Sequence, residues 1–170
     1  GPTGDVLWET RVASDCFSLP ALDDVDSDGD VESVVPSDHG FLTCLEGDGT
    51  VRWRVRPQKA DTVGPVCTDL DGNGKTEVLC GSTDGTLFAF EGDSGRTLWT
   101  FKSAGTIDTS ISVADLHRRG SQEIVFTAMF DRKAYCLDAR GNKRWEFDTS
   151  GKVPYAASIG DVDADGMVEI

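Results

Sequence analysis

The sequence predicts an all-β chain: a β-propeller of four-stranded antiparallel blades, with about 3.7 repeats of 45–46 residues in its 170 residues. Three observations carry this expectation. Trp8, Trp53, Trp99 and Trp145 are separated by 45, 46 and 46 residues. Acidic, glycine-containing loops beginning at Asp24, Asp69, Asp115 and Asp161 keep the same intervals of 45, 46 and 46. Between these landmarks lie short runs rich in β-branched and aromatic residues, and no segment holds a 3.6-residue apolar period long enough for a helix. Four strands repeated at a spacing of about 40 to 50 residues describe a propeller blade, whose sheet buries its faces against the blades beside it.

One whole unit spans residues 62–101. Its strands are Val63–Thr68, Thr76–Gly81, Thr86–Glu91 and Arg96–Phe101, named A to D in order, and the acidic loop joins A to B. Thr83-Asp84-Gly85 and Gly92-Asp93-Ser94-Gly95 supply the turns, because Asp-Gly pairs accept the positive φ that tight hairpins require. Extended along the chain, the pattern makes 1–170 a single propeller region. Residues 4–9 are the last strand of a preceding blade; 10–55, 56–101 and 102–147 are whole blades; 148–170 are the first two strands of another. Fifteen strands are expected. Three whole blades cannot close a ring, so the expected form is an open arc of a larger propeller or one completed by self-association of its unfinished end blades.

The net charge is −14, from 16 basic and 30 acidic residues, which argues against nucleic acid as a partner. That acidity is concentrated: 12 of the 30 acids lie in the loops beginning at Asp24, Asp69 and Asp161. No apolar run approaches the roughly 20 residues of a transmembrane helix, and residues 1–4 have no signal-peptide character. Of five cysteines, Cys44, Cys67, Cys80 and Cys136 fall at repeat positions filled elsewhere by Ala89 and by apolar side chains, which suits buried free thiols. No Cys-x-x-Cys pair points to zinc.

The candidate site residues are in the acidic loops. In Asp24-Val25-Asp26-Ser27-Asp28-Gly29-Asp30-Val31-Glu32, positions 1, 3, 5 and 9 are carboxylates and position 6 is glycine. Alternate residues of a tight loop converge their oxygens, position 7 (Asp30) offers its main-chain carbonyl, and Glu32 closes the shell. Several hard oxygen donors on a flexible loop suit calcium better than magnesium. Asp69, Asp71, Asn73, Lys75 and Glu77 repeat the arrangement, Asn73 giving an amide oxygen and Lys75 a main-chain carbonyl. Asp161, Asp163, Asp165, Met167 and Glu169 repeat it again, Met167 through its carbonyl. An EF-hand is excluded, since it needs glutamate at position 12, where these loops have Val35 and Cys80. In the fourth loop, Asp115–Glu123, His117 and Arg119 replace the ligands at positions 3 and 5. No cation is expected there; the Arg119 guanidinium is expected between Asp115 and Glu123 in its stead.

The pattern Asp-x-Asp-x-Asp-Gly-x-x-Glu between strands A and B resembles the FG-GAP/VCBS type of calcium-binding propeller repeat of integrin α-chain heads and secreted bacterial proteins. The stretch from Asp84 to Trp99, with similar endings at Cys136–Trp145 and Gly49–Trp53, resembles the PQQ-like repeat of quinoprotein dehydrogenases and outer-membrane assembly scaffolds. Together the motifs cover nearly the whole chain. The second resemblance implies that the strand-D tryptophans dock between adjacent blades, a role that suits a large ring with one N–H donor.

The resulting expectation is a calcium-stabilised, non-catalytic interaction or scaffold module, for adhesion or for binding an unknown protein or carbohydrate. Its setting is extracellular, cell-surface or periplasmic. The competing expectation is part of a propeller enzyme, a PQQ-dependent quinoprotein dehydrogenase or a polysaccharide lyase. Against the first of these, the adjacent-cysteine disulfide such dehydrogenases place beside their quinone has no counterpart among these cysteines. No Ser/His or Cys/His arrangement is present, and both histidines, His39 and His117, fall in expected turns without a partner signal.

Overall fold

The computed structural model describes residues 3–12, 15–16, 18–58, 60–153, 155–164, 166 and 168–170. Among these residues, twelve strands form three four-stranded antiparallel sheets, each a simple meander. The first sheet holds β1 (Ala21–Asp23), β2 (Glu32–Ser37), β3 (Phe41–Leu45) and β4 (Val51–Val55). The second holds β5 (Thr62–Thr68), β6 (Glu77–Ser82), β7 (Thr86–Glu91) and β8 (Thr97–Lys102). The third holds β9 (Ser112–Ala114), β10 (Glu123–Ala128), β11 (Lys133–Asp138) and β12 (Lys143–Asp148). Among the described residues the one helical segment is a 3₁₀ turn, Asp38–Gly40.

The cores lie between consecutive sheets, which is why the sheets stack as blades. Val34, Leu42 and Cys44 of the first sheet pack with Val78, Cys80, Phe88 and Phe90 of the second. Leu79, Leu87 and Ala89 of the second pack with Ile124, Phe126, Tyr135 and Leu137 of the third. The rings of Phe101, Phe126 and Tyr135 meet at this second seam, with centroids 5.3–6.0 Å apart. Both faces of the middle sheet are therefore covered, and β6 is buried along its entire length.

The register explains a detail of the repeat. Cys44 pairs with Trp53, Ala89 with Trp99 and Cys136 with Trp145, each followed by a register shift. Directly paired residues share a face of the sheet, so a small residue opposite each indole leaves room for the ring. Cys44, Cys80 and Cys136 are buried, as expected, whereas Cys67 is only partly buried. Burial pushes the Cys44 thiol up to about 12 and the Cys136 thiol to about 11, out of the reactive range.

The ends differ from the fifteen-strand expectation. Residues 4–9 form no strand, and the described residues of 155–170 hold an isolated bridge between Gly160 and Glu169 and no strand. A D strand pairs only with a C strand, and no described residue supplies one to 4–9. Likewise, a two-stranded hairpin is marginal without further strands.

Candidate functional site

In a meander the A–B and C–D connections emerge at the same end, so the acidic loop of each complete sheet lies beside its C–D turn. The four loops share one backbone. The position-1 aspartate accepts the N–H groups of positions 5 and 6: Asp24 from Asp28 and Gly29 at 3.1 and 3.0 Å, Asp69 from Asn73 and Gly74 at 3.1 and 2.7 Å, and Asp115 from Arg119 and Gly120 at 2.8 and 2.7 Å. In the last loop, Gly166 donates to Asp161 at 2.8 Å. The position-9 glutamate accepts the N–H of position 2: Val25 to Glu32 at 3.0 Å, and Leu70 to Glu77, Leu116 to Glu123 and Val162 to Glu169 each at 2.9 Å. Position 6 has positive φ throughout, 96° at Gly29, 83° at Gly74, 75° at Gly120 and 84° at Gly166, which is why it is always glycine.

Three loops add convergent acids to that scaffold. One carboxylate oxygen each from Asp24, Asp26 and Glu32 lie within 4.8 Å of one another, and the same holds for Asp69, Asp71 and Glu77 and for Asp161, Asp163 and Glu169. Asp28 stands outside its set; its Oδ1 accepts the Asp30 N–H at 2.8 Å, as Asn73 Oδ1 accepts that of Lys75 at 2.8 Å. The expected ligands Asp165 and Met167 lie outside the described residues.

Glu32 is fully buried, and its Oε1 has no hydrogen-bond partner. A buried carboxylate oxygen left bare is costly. Burial also pushes the Glu32 and Glu77 carboxyls above the usual carboxylate range, partly opposed by the Val25 and Leu70 N–H bonds. A cation held between the acids would satisfy that bare oxygen and offset the mutual repulsion.

The loop at Asp115 corrects one expectation. The Arg119 side chain does not bridge Asp115 and Glu123; only its main-chain N–H reaches Asp115. His117, at position 3, instead places Nδ1 at 3.1 Å from Glu123 Oε1. Position 3 points into the loop, so the residue standing where Asp26 and Asp71 stand is the one that meets the glutamate.

The tryptophans lock successive blades. The indole N–H of Trp53 donates to Gly92 O at 2.7 Å, that of Trp99 to Ala139 O at 3.0 Å and that of Trp8 to Gly47 O at 2.9 Å. Each ring lies on a glycine of the same turn: a Cβ at Gly49, Gly95 or Gly141 would stand 2.6, 2.8 or 2.6 Å from the indole. These glycines were legible as a signal, since they follow their tryptophans by 41 or 42 residues. Trp8 is thus docked although its segment is not a strand.

Arg52 is a residue the sequence did not single out. Its Nη1 reaches Asp26 Oδ2 at 2.6 Å and Glu46 Oε1 at 3.0 Å; its Nη2 pairs with Asp93, and its Nε donates to Asp93 O at 3.0 Å. Two of its partners, Asp26 and Asp93, lie in other loops 26 and 41 positions away, beyond the reach of any local motif.

Three meander sheets packed face to face and locked by tryptophan on glycine define a β-propeller arc of the PQQ-like kind. The chain belongs to the PQQ-like repeat family described as "Outer membrane protein assembly factor BamB", whose model matches residues 1–168. A search of the curated proteins finds no match. Among solved structures, BamB from Moraxella catarrhalis is 20% identical with a TM-score of 0.62, over 85% of this chain and 40% of that one. The rhamnogalacturonan lyase PL11 of Bacillus licheniformis is 21% identical with a TM-score of 0.64, over 89% of this chain and 38% of that one. The computationally designed Ika4 protein is 15% identical with a TM-score of 0.71, over 98% of this chain and 96% of that one. The chain therefore spans about two fifths of the BamB and lyase structures and nearly all of the designed one. At these identities the likeness is one of fold.

Proposed function

We propose that the chain is a non-catalytic β-propeller scaffold that presents its loops to a protein or carbohydrate partner and is stabilised by calcium in three of its four A–B loops. The single observation that carries the calcium reading is the loop at Asp24, where three carboxylates converge and one buried Glu32 oxygen has no partner. Asp24, Asp26 and Glu32 would hold one ion, Asp69, Asp71 and Glu77 another, and Asp161, Asp163 and Glu169 a third. All donors are hard oxygens, the ligand type that calcium takes. The FG-GAP-type reading of the loops belongs with this proposal.

The scaffold reading is supported by membership of the BamB family and by the tryptophan locks, which commit all the docked tryptophans to packing. The family also supports a setting in the cell envelope, periplasmic or at the surface. No described helix is long and apolar enough to cross a membrane. Isothermal titration with calcium chloride tests the reading: saturable binding lost stepwise in Asp24→Asn and Asp71→Asn is expected, and heat of dilution alone would reject it.

A further inference from the structure

Loops 24–32 and 69–77 present similar carboxylates, yet only the first is tied to the next blade by a guanidinium. Arg52 lies on β4 immediately before Trp53, so guanidinium and indole approach the same turn, Gly92–Gly95. Trp53 binds the Gly92 carbonyl, and Arg52 binds the Asp93 carbonyl and carboxylate. On its other side Arg52 grips Asp26, whose side chain is 9% exposed, and Glu46. Loop and second blade also touch through Thr76, whose hydroxyl donates to Asp24 O at 3.2 Å. The equivalent positions do not repeat the clasp. Leu98 precedes Trp99, and Arg144, before Trp145, pairs with Asp138 of its own sheet at 3.6 Å.

We propose that Arg52 is a positioning residue for the cation site of the first loop, and that it couples occupancy of this site to the seam between the first and second blades. This inference rests on the calcium reading of the loop. Arg52 takes Oδ2 of Asp26, while Oδ1 accepts the Asp28 N–H at 3.2 Å, so the carboxylate is fixed from two sides. Outer partners that orient a ligating carboxylate typically contribute about 10-fold or more to metal affinity. The guanidinium also brings a positive charge near the site. Loop 24–32 alone carries five carboxylates, however, so the site remains strongly negative. A cation that draws in Asp26 pulls on Arg52, and through it on Asp93. Ion binding should therefore tighten the turn opposite Trp53, and a loosened seam should weaken the ion.

The test compares the 170-residue chain with Arg52→Met, which keeps the aliphatic stem, and Arg52→Lys, which keeps the charge but not the fork. Calcium affinity is read by titration calorimetry, and amide hydrogen exchange of residues 91–96 is followed with calcium and with chelator. The expected result is about 10-fold weaker binding at the first loop in Arg52→Met. Its calcium-dependent protection of 91–96 should be lost, while the contribution removed by Asp71→Asn is unchanged. Arg52→Lys should fold as the parent does and lose the same coupling. Asp24→Asn serves as the site control. If Asp24→Asn abolishes one calcium site but both Arg52 variants bind within twofold of the parent with protection intact, the Arg52 inference fails alone. If the parent shows no calcium site that Asp24→Asn removes, the calcium reading and this inference fall together.

Discussion

Loops 69–77 and 115–123 sit side by side, joined by a hydrogen bond from the Gln122 N–H to Leu70 O at 2.8 Å, and they are built on one backbone. In both, the first aspartate gathers two N–H groups, the last glutamate takes the N–H of position 2, and an apolar residue at position 2 (Leu70, Leu116) is buried beneath. They differ at position 3, Asp71 against His117, and at position 5, Asn73 against Arg119. The comparison separates two roles that a motif runs together. Positions 1 and 9 shape the loop whether or not an ion is present, whereas position 3 decides what stands against the glutamate, a second acid or an imidazole.

The largest expected effect breaks the frame both loops share. Trp99 packs on the core that contains Leu70 and docks on the third blade, so Trp99→Ala should cost about 3 kcal/mol in denaturant unfolding, the low end for a tryptophan because the ring is only partly buried. Trp8→Ala should cost clearly less, since Trp8 is 40% exposed on a segment without a strand; equal losses would mean that all the locks carry the same weight.

Calcium should come next. A site at 100 times its dissociation constant adds about 2.7 kcal/mol, so excess chelator should lower the melting temperature. Asp71→Asn should shrink that response and His117→Ala should leave it alone. A melting curve indifferent to chelator would erase the distinction between the two loops.

Asp115→Ala tests the scaffold role. It deprives Arg119 and Gly120 of their acceptor and should lower the melting temperature by a few degrees, equally with calcium and with chelator. A calcium-dependent loss would show that the fourth loop binds an ion after all. The smallest effect is expected for His117→Ala, about 1 kcal/mol, because the imidazole is half-exposed and water can take its place against the buried Glu123.

Much of this was legible in the sequence because one period is written in two independent landmarks, tryptophans and acidic loops. Those landmarks gave the repeated four-stranded sheets and an expected convergence of positions 1, 3, 5 and 9, of which Asp28 at position 5 stands outside the set that meets. Apart from the tryptophan locks, side-chain contacts between repeats were not legible. Arg52 meets residues 26 and 41 positions away, from the preceding loop and the following blade, and no local spacing encodes that. Arg119 was the natural bridge on charge alone, yet position 5 turns outward once its N–H is spent on Asp115, which leaves position 3 and His117 facing Glu123. Residues 4–9 and 155–170 read as strands by composition, but a strand is defined by its partner, and the described residues supply too few.

Counting calcium ions per chain by native mass spectrometry tests the central claim most directly. The account predicts three, falling to two in Asp71→Asn and rising to four when His117→Asp and Arg119→Asp restore the acids of the fourth loop. No bound calcium in the parent chain, or a fourth ion without those two substitutions, would contradict it.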